Sequence, residues 1–137
     1  MTPAQEALVR DTFFSIRSMG GPVATLFYGR LFSYAPELRH MFKGDIREQG
    51  QKLMSMIEIC VDSLGRLDDL RPQLRDLGRR HAGYGTRPEH YPVVSKALLW
   101  SLGQALEYRF DAPAKQAWAA LLDKISREML AGASGEA

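Results

Sequence analysis

Apolar residues recur three and four positions apart along nearly the whole chain, and no segment sustains the two-residue alternation of a half-buried strand. That period confines the chain to helices, each with one apolar stripe to bury against a neighbour. A length of 137 residues supplies one compact core rather than two. The expectation is an all-α fold with short connections, a single domain over residues 1–137.

The punctuation divides this pattern into segments. Thr2 with Gln5 has the form of a capping box, and Pro3 suits a first helical position. The first helix is expected to run through Phe13, Phe14 and Ile16 and to stop near a Gly20-Gly21-Pro22 breaker. A second helix carries Val23, Phe27, Leu31 and Tyr34 on one side, with Tyr28 on a neighbouring one. Pro36 opens a short turn ending at Phe42, and Lys43-Gly44-Asp45 reads as a loop.

From about Arg47 a longer helix presents Gln49, Leu53, Met56, Ile57 and Cys60 on one face. The next is opened by Leu70-Arg71-Pro72, and Leu70, Leu74, Leu77 and His81 fall at helical steps along it. The histidine therefore ends an otherwise apolar stripe. Gly83-Tyr84-Gly85 reads as a glycine C-cap. A further helix begins around Pro92, and the last, after Asp111, is lined by Trp118, Leu121, Leu122, Ile125 and Met129. Residues 131–137 are expected to fray.

Several function classes are excluded at once. The formal charge of +2 offers no electrostatic case for nucleic acid or an anionic membrane. No phosphate-binding glycine loop, zinc-protease motif or serine-nucleophile motif occurs. Cys60, the single cysteine, is expected to be an inert core thiol and fits a reducing, cytoplasmic setting. The charged N-terminus does not resemble a secretion signal, and no run is apolar enough to span a bilayer.

Chemistry must then come from a few polar groups on apolar faces. Of three histidines, only His81 lies on such a face; His40 and His90 fall on turns. His81 is either a cap at the negative end of its helix or an axial ligand to haem iron. Arg79 and Arg80 beside it are solvated, or meet carboxylates such as haem propionates. Tyr91 is a core aromatic, or a partner lying over the histidine ring. Tyr28 and Gln49 are satisfied internally, or donate to a polar ligand in a dry pocket that Leu53 would wall.

Three stretches favour the second reading in each case. FYGRLFSYAPELRHMF (27–42), EQGQKLMSMI (48–57) and LGRRHAGYGTRPEHYPVVSKALL (77–99), in this order, resemble the globin family. More narrowly they resemble bacterial haemoglobins related to the globin domain of flavohaemoglobins. The resemblance implies a three-over-three helical sandwich around haem b (iron protoporphyrin IX), with His81 as proximal iron ligand and Phe42 packed on the porphyrin. It also implies Tyr28 and Gln49 as distal donors, Leu53 as their apolar neighbour, Arg80 at the haem edge and Tyr91 on the proximal side.

By the same resemblance the chain binds O2 tightly, and also NO and CO; no uncovered apolar stripe stands out, and a monomer or weak homodimer is expected. Storage or delivery of O2 and conversion of NO to nitrate require the same pocket, so they are not ranked. Turnover would call on an external reductase, because the sequence as given carries no reductase domain. A gas sensor signalling to a partner is the alternative; a haem-free interaction module is disfavoured by the retained Tyr28, Phe42, Gln49 and His81. The family's late glutamate, which contacts the proximal tyrosine and histidine, has its matching position near Gly135, beside Glu136. That departure weakens the expectation of peroxidase-like chemistry.

Overall fold

A computed structural model of the chain describes residues 1–135. Helix α1 covers Pro3–Ile16, α2 Gly20–Tyr34, α3 Ile46–Asp62, α4 Arg71–Gly83, α5 His90–Leu106 and α6 Ala112–Ala133. Short 3-10 turns at Arg17–Met19, Pro36–Met41, Leu67–Leu70 and Glu107–Arg109 join them, and no strand occurs among the described residues. The all-α expectation is met.

Local chemistry explains most boundaries. Thr2 and Gln5 close a reciprocal capping box, with the Gln5 amide donating to the Thr2 hydroxyl at 3.1 Å. Asp45 and Asp111 cap α3 and α6 by accepting from the Arg47 and Ala114 amides. Gly85 takes φ +100 after α4, and the Thr86 amide bonds back to the His81 carbonyl at 3.0 Å. The first helix does stop just before Gly20-Gly21-Pro22, but that segment is itself helical rather than a break. A single 3-10 turn makes the bend, and these residues form the first turn of α2, where proline is tolerated.

The helices bury their stripes in two crossing layers. α2 lies across α3 and α5, while α6 packs on α1, α4 and α5. Trp118, Ile16, Leu31, Leu74 and Leu121 are among the side chains sealed at the centre. The Trp118 indole N–H donates to the Thr12 hydroxyl at 2.8 Å, and that hydroxyl donates to the Leu8 carbonyl at 2.7 Å. A buried polar pair is thereby satisfied.

α4 and α6 approach through glycines. A Cβ on Gly78 would stand 1.8 Å from the Met129 carbonyl oxygen, and one on Gly132 2.0 Å from that of Arg75. This contact also keeps α6 helical as far as Ala133, so residues 131–133 are ordered rather than frayed. Glu136 lies outside the described residues. No helix among the described residues is long and apolar enough to cross a membrane.

Candidate functional site

Tyr28 sits on the inner face of α2, buried among aromatic rings. Its ring meets Phe27 at 4.8 Å, Phe42 at 5.3 Å and Phe32 at 6.0 Å between centroids. Phe32 also packs edge-on against Phe42 at 5.3 Å. The sequence reading had named Tyr28 and Phe42 but missed Phe32; its place four residues after Tyr28, on the same helical face, was the available signal.

α3 is brought against this cluster by Gly50. A Cβ there would lie 2.9 Å from the Ala24 Cβ and 3.9 Å from Cε2 of Tyr28. Gln49, next to that contact, and Leu53, one turn on, are both half-buried on the same helix. Burial alone pushes the Tyr28 phenol up to about 12, and its hydroxyl forms no hydrogen bond with the described residues. It is thus a neutral donor at ordinary pH with its proton unassigned.

His81 approaches from α4. Its Nδ1 lies 2.8 Å from the Leu77 carbonyl oxygen. With the proton on Nδ1 the ring donates to that carbonyl, and the Nε2 lone pair is left for a ligand. Leu74 and Gly78 are buried against α6, whereas Leu70, Leu77 and His81 on the neighbouring side of α4 are only half-buried. Leu53 and Met56 of α3 are likewise half-buried, and α3 and α4 form no extended interface with each other.

The remaining expected residues lie as follows. Arg80 is exposed and pairs with Asp76 at 3.2 Å, and Arg79 reaches the same carboxylate at 3.7 Å. The ring beside His81 is that of Tyr84, 6.2 Å between centroids and 68% exposed, a residue the sequence reading placed only in the helix cap. Tyr91, at the start of α5, buries its hydroxyl with no hydrogen-bond partner, and burial raises its pKa. His90 accepts from the Arg87 amide at 3.0 Å in the turn before α5.

A flat apolar group with one open axial position fits this donor set. It would find a free imidazole nitrogen from α4, half-buried apolar faces on α3 and α4, and an aromatic cluster around an unassigned phenol. A cluster of three or more His, Cys, Asp or Glu side chains able to hold a metal ion is absent among the described residues. Two shallow surface grooves, on the outer face of α3 and between α1 and the turn before α6, include neither His81 nor Tyr28.

Comparison with known proteins agrees with this fold. The family model described as Globin matches residues 25–129. A flavohemoprotein of Vibrio cholerae is 27% identical over 116 residues, which is 82% of this chain but 29% of that protein. The chain thus spans under a third of that relative's length. Among solved structures, a bacterial globin of Campylobacter jejuni superposes with a TM-score of 0.85 at 22% identity, covering 98% of this chain and 97% of that one. An engineered carbene transferase, built on a candidate nitric oxide dioxygenase of Rhodothermus marinus, gives 0.89 at 21% identity, covering 98% and 94%.

Proposed function

The chain belongs to the globin family, whose cofactor is haem, and on that premise we propose that it binds dioxygen tightly and can turn it over with nitric oxide. The observation that carries this reading is Tyr28, a phenol buried on the inner face of α2, kept neutral by burial and set in an aromatic cluster with Phe27, Phe32 and Phe42 against the Gly50 contact of α3. A neutral phenol in such apolar surroundings is a hydrogen-bond donor available to a small polar ligand.

Each residue has a task that follows from its position. His81, steered by the Leu77 carbonyl, presents Nε2 as the proximal ligand. Phe42, wedged against Tyr28 and Phe32, offers a rigid apolar surface for the porphyrin. Leu53 walls the distal side, and Arg80 exchanges its exposed pairing with Asp76 for a propionate. Tyr91 supplies a proximal hydroxyl still in need of an acceptor. When bound, haem supplies an iron that takes a diatomic gas at its open position.

Tyr28 and Gln49 then donate to the polar end of that gas. A hydrogen bond to a charged or strongly polarised acceptor is worth about 1.5–3 kcal/mol, and 1.4 kcal/mol is tenfold in an equilibrium constant. Two such donors slow release by orders of magnitude. Carbon monoxide, less able to accept, gains little from them.

The enzymatic half of the proposal combines nitric oxide with dioxygen and one electron to give nitrate. The electron comes from a reductase, a reading that the flavohemoprotein likeness supports. The free, buried Cys60 supports a cytoplasmic location, and we place the working form as a monomer or weak homodimer.

The test is the absorption spectrum of purified protein in the ferric state, after reduction, and after adding oxygen or carbon monoxide. An intense Soret band that shifts with each gas is expected. If reconstitution with haem produces no such band, the reading is wrong.

A further inference from the structure

The helix that carries His81 is held to the rest of the fold chiefly through α6. Their backbones touch at Gly78 and Gly132, and beside that contact the interface contains a buried charge. Glu128 is 8% exposed. It accepts from Arg71 Nε at 2.9 Å and from Arg75 Nε at 3.4 Å, so both arms of α4 grip one carboxylate of α6. Lys124 stands 3.8 Å from it and bridges to Asp68 at 3.2 Å, in the turn just before α4. The Arg71 hydrogen bond, more than any other influence, keeps the Glu128 carboxyl below its usual range.

The gas site makes no use of this carboxylate. Burying an ion pair is a poor source of stability, since well-packed apolar side chains often serve as well or better. What the arrangement does supply is direction. Arg71, Arg75 and Gly78 follow one another along one face of α4, and His81 projects about a quarter turn round the helix from that face. A rotation of α4 by ~10° would carry an atom ~6 Å from the axis through about 1 Å. That is enough to spoil a ligand held to about half an ångström.

We propose that Glu128 is a positioning residue: by gripping Arg71 and Arg75 it fixes the rotation of α4 on α6 and so sets how squarely His81 presents Nε2 to the haem iron. The inference rests on His81 being the proximal ligand.

It is tested on the haem-loaded protein by comparing wild type with Glu128→Gln, which keeps the shape and removes the charge. Resonance Raman of the reduced, gas-free form reads the iron–histidine stretch, and transfer of haem to excess apomyoglobin reads how firmly the group is held. Glu128→Gln is expected to shift or broaden the stretch and to release haem about tenfold faster, the factor for one charge-assisted hydrogen bond.

Thr12→Val, which breaks the Trp118 hydrogen bond at the contact of α6 with α1, is the control for general weakening. It is expected to lower stability and leave the stretch in place. Should Glu128→Gln not fold, Arg75→Gln removes one of the two grips and carries the same expectation. An unaltered stretch with haem loss within about twofold of wild type would overturn the inference, as would equal changes in Thr12→Val. If wild type itself shows no iron–histidine band, the assignment of His81 fails and takes this inference with it. An ordinary wild-type band that Glu128→Gln leaves alone removes the inference and spares the assignment.

Discussion

The ring of Tyr28 meets that of Phe42 edge-on, 5.3 Å between centroids with 72° between planes, and this contact fixes the buried phenol against a loop residue fourteen positions further on. Such pairs add about 0.5–1.5 kcal/mol beyond their buried area. Tyr28→Phe keeps the ring contact and deletes only the hydroxyl. Oxygen dissociation measured by stopped flow should speed up roughly tenfold or more, the loss of about 1.5–3 kcal/mol. An unchanged rate would remove Tyr28 from the proposed role.

The same hydroxyl sets an alkaline limit. Its pKa is pushed up to about 12 by burial from an ordinary value of 10.0, so the folded state holds the proton more tightly than the unfolded chain. That contribution is fully present below about pH 10 and is lost as the pH rises towards 12, amounting to roughly 2–3 kcal/mol for the apoprotein. Urea titrations across this window should fall less steeply for Tyr28→Phe than for wild type. Parallel curves would show that the phenol is not desolvated as described.

His81→Gly should abolish the proximal coordination while leaving α4 to be closed by its glycine cap, since Gly85 with φ +100 ends the helix independently. The variant is expected to lose haem readily, and free imidazole added in millimolar amounts should restore the wild-type spectrum. A wild-type spectrum without imidazole would assign the iron to another ligand.

Gly78 has no room for a methyl group, with the Met129 carbonyl 1.8 Å from the place a Cβ would occupy. Gly78→Ala should destabilise by roughly 3 kcal/mol or fail to fold, because backbone rather than a movable side chain is in the way. Gly83 also lies in α4, with open space around it, and Gly83→Ala should be neutral or stabilise by up to ~1 kcal/mol. Equal thermal shifts in the two variants would contradict the close crossing.

Trp118 is wholly buried and its indole N–H has the Thr12 hydroxyl as partner at 2.8 Å. Thr12→Val leaves that donor unsatisfied and should lower stability by about 1–3 kcal/mol. Thr12→Ser, which retains the hydroxyl, should recover most of it. Chemical denaturation of the three proteins decides, and equal loss in both variants would point to packing of the threonine methyl instead.

Much of the fold was legible because it is decided within one or two helical turns. The Thr2–Gln5 box, the start of α6 at Asp111, the glycine end of α4 and the apolar stripe ending in His81 depend on neighbours three or four residues away. Spacing in the sequence reports such contacts directly. The Gly20-Gly21-Pro22 segment misled because glycine and proline disfavour a helix interior, whereas here they occupy the first turn, where neither objection applies.

The candidate site was legible in part. His81, Tyr28 and Gln49 could be singled out as polar side chains on or beside apolar helical faces, whereas Phe42 drew its expected role only from the resemblance to the family. Tyr84 beside His81 could not, since ring contacts across a cap depend on how the chain leaves the helix. Nor could the partnerless hydroxyl of Tyr91, because whether a buried group finds an acceptor is decided by helices far away in sequence.

The amino-acid sequence alone therefore determined six helices, the capping box of the first, the glycine end of the fourth and the residue type each would turn inward, through local hydrogen bonds and a 3.6-residue period. Only the tertiary structure decided that Gly78 meets the Met129 backbone, that Glu128 is held by Arg71 and Arg75, and that Gly50 brings α3 onto Tyr28. Those contacts join positions tens of residues apart, and they follow from how two helix surfaces fit rather than from the pattern of either one.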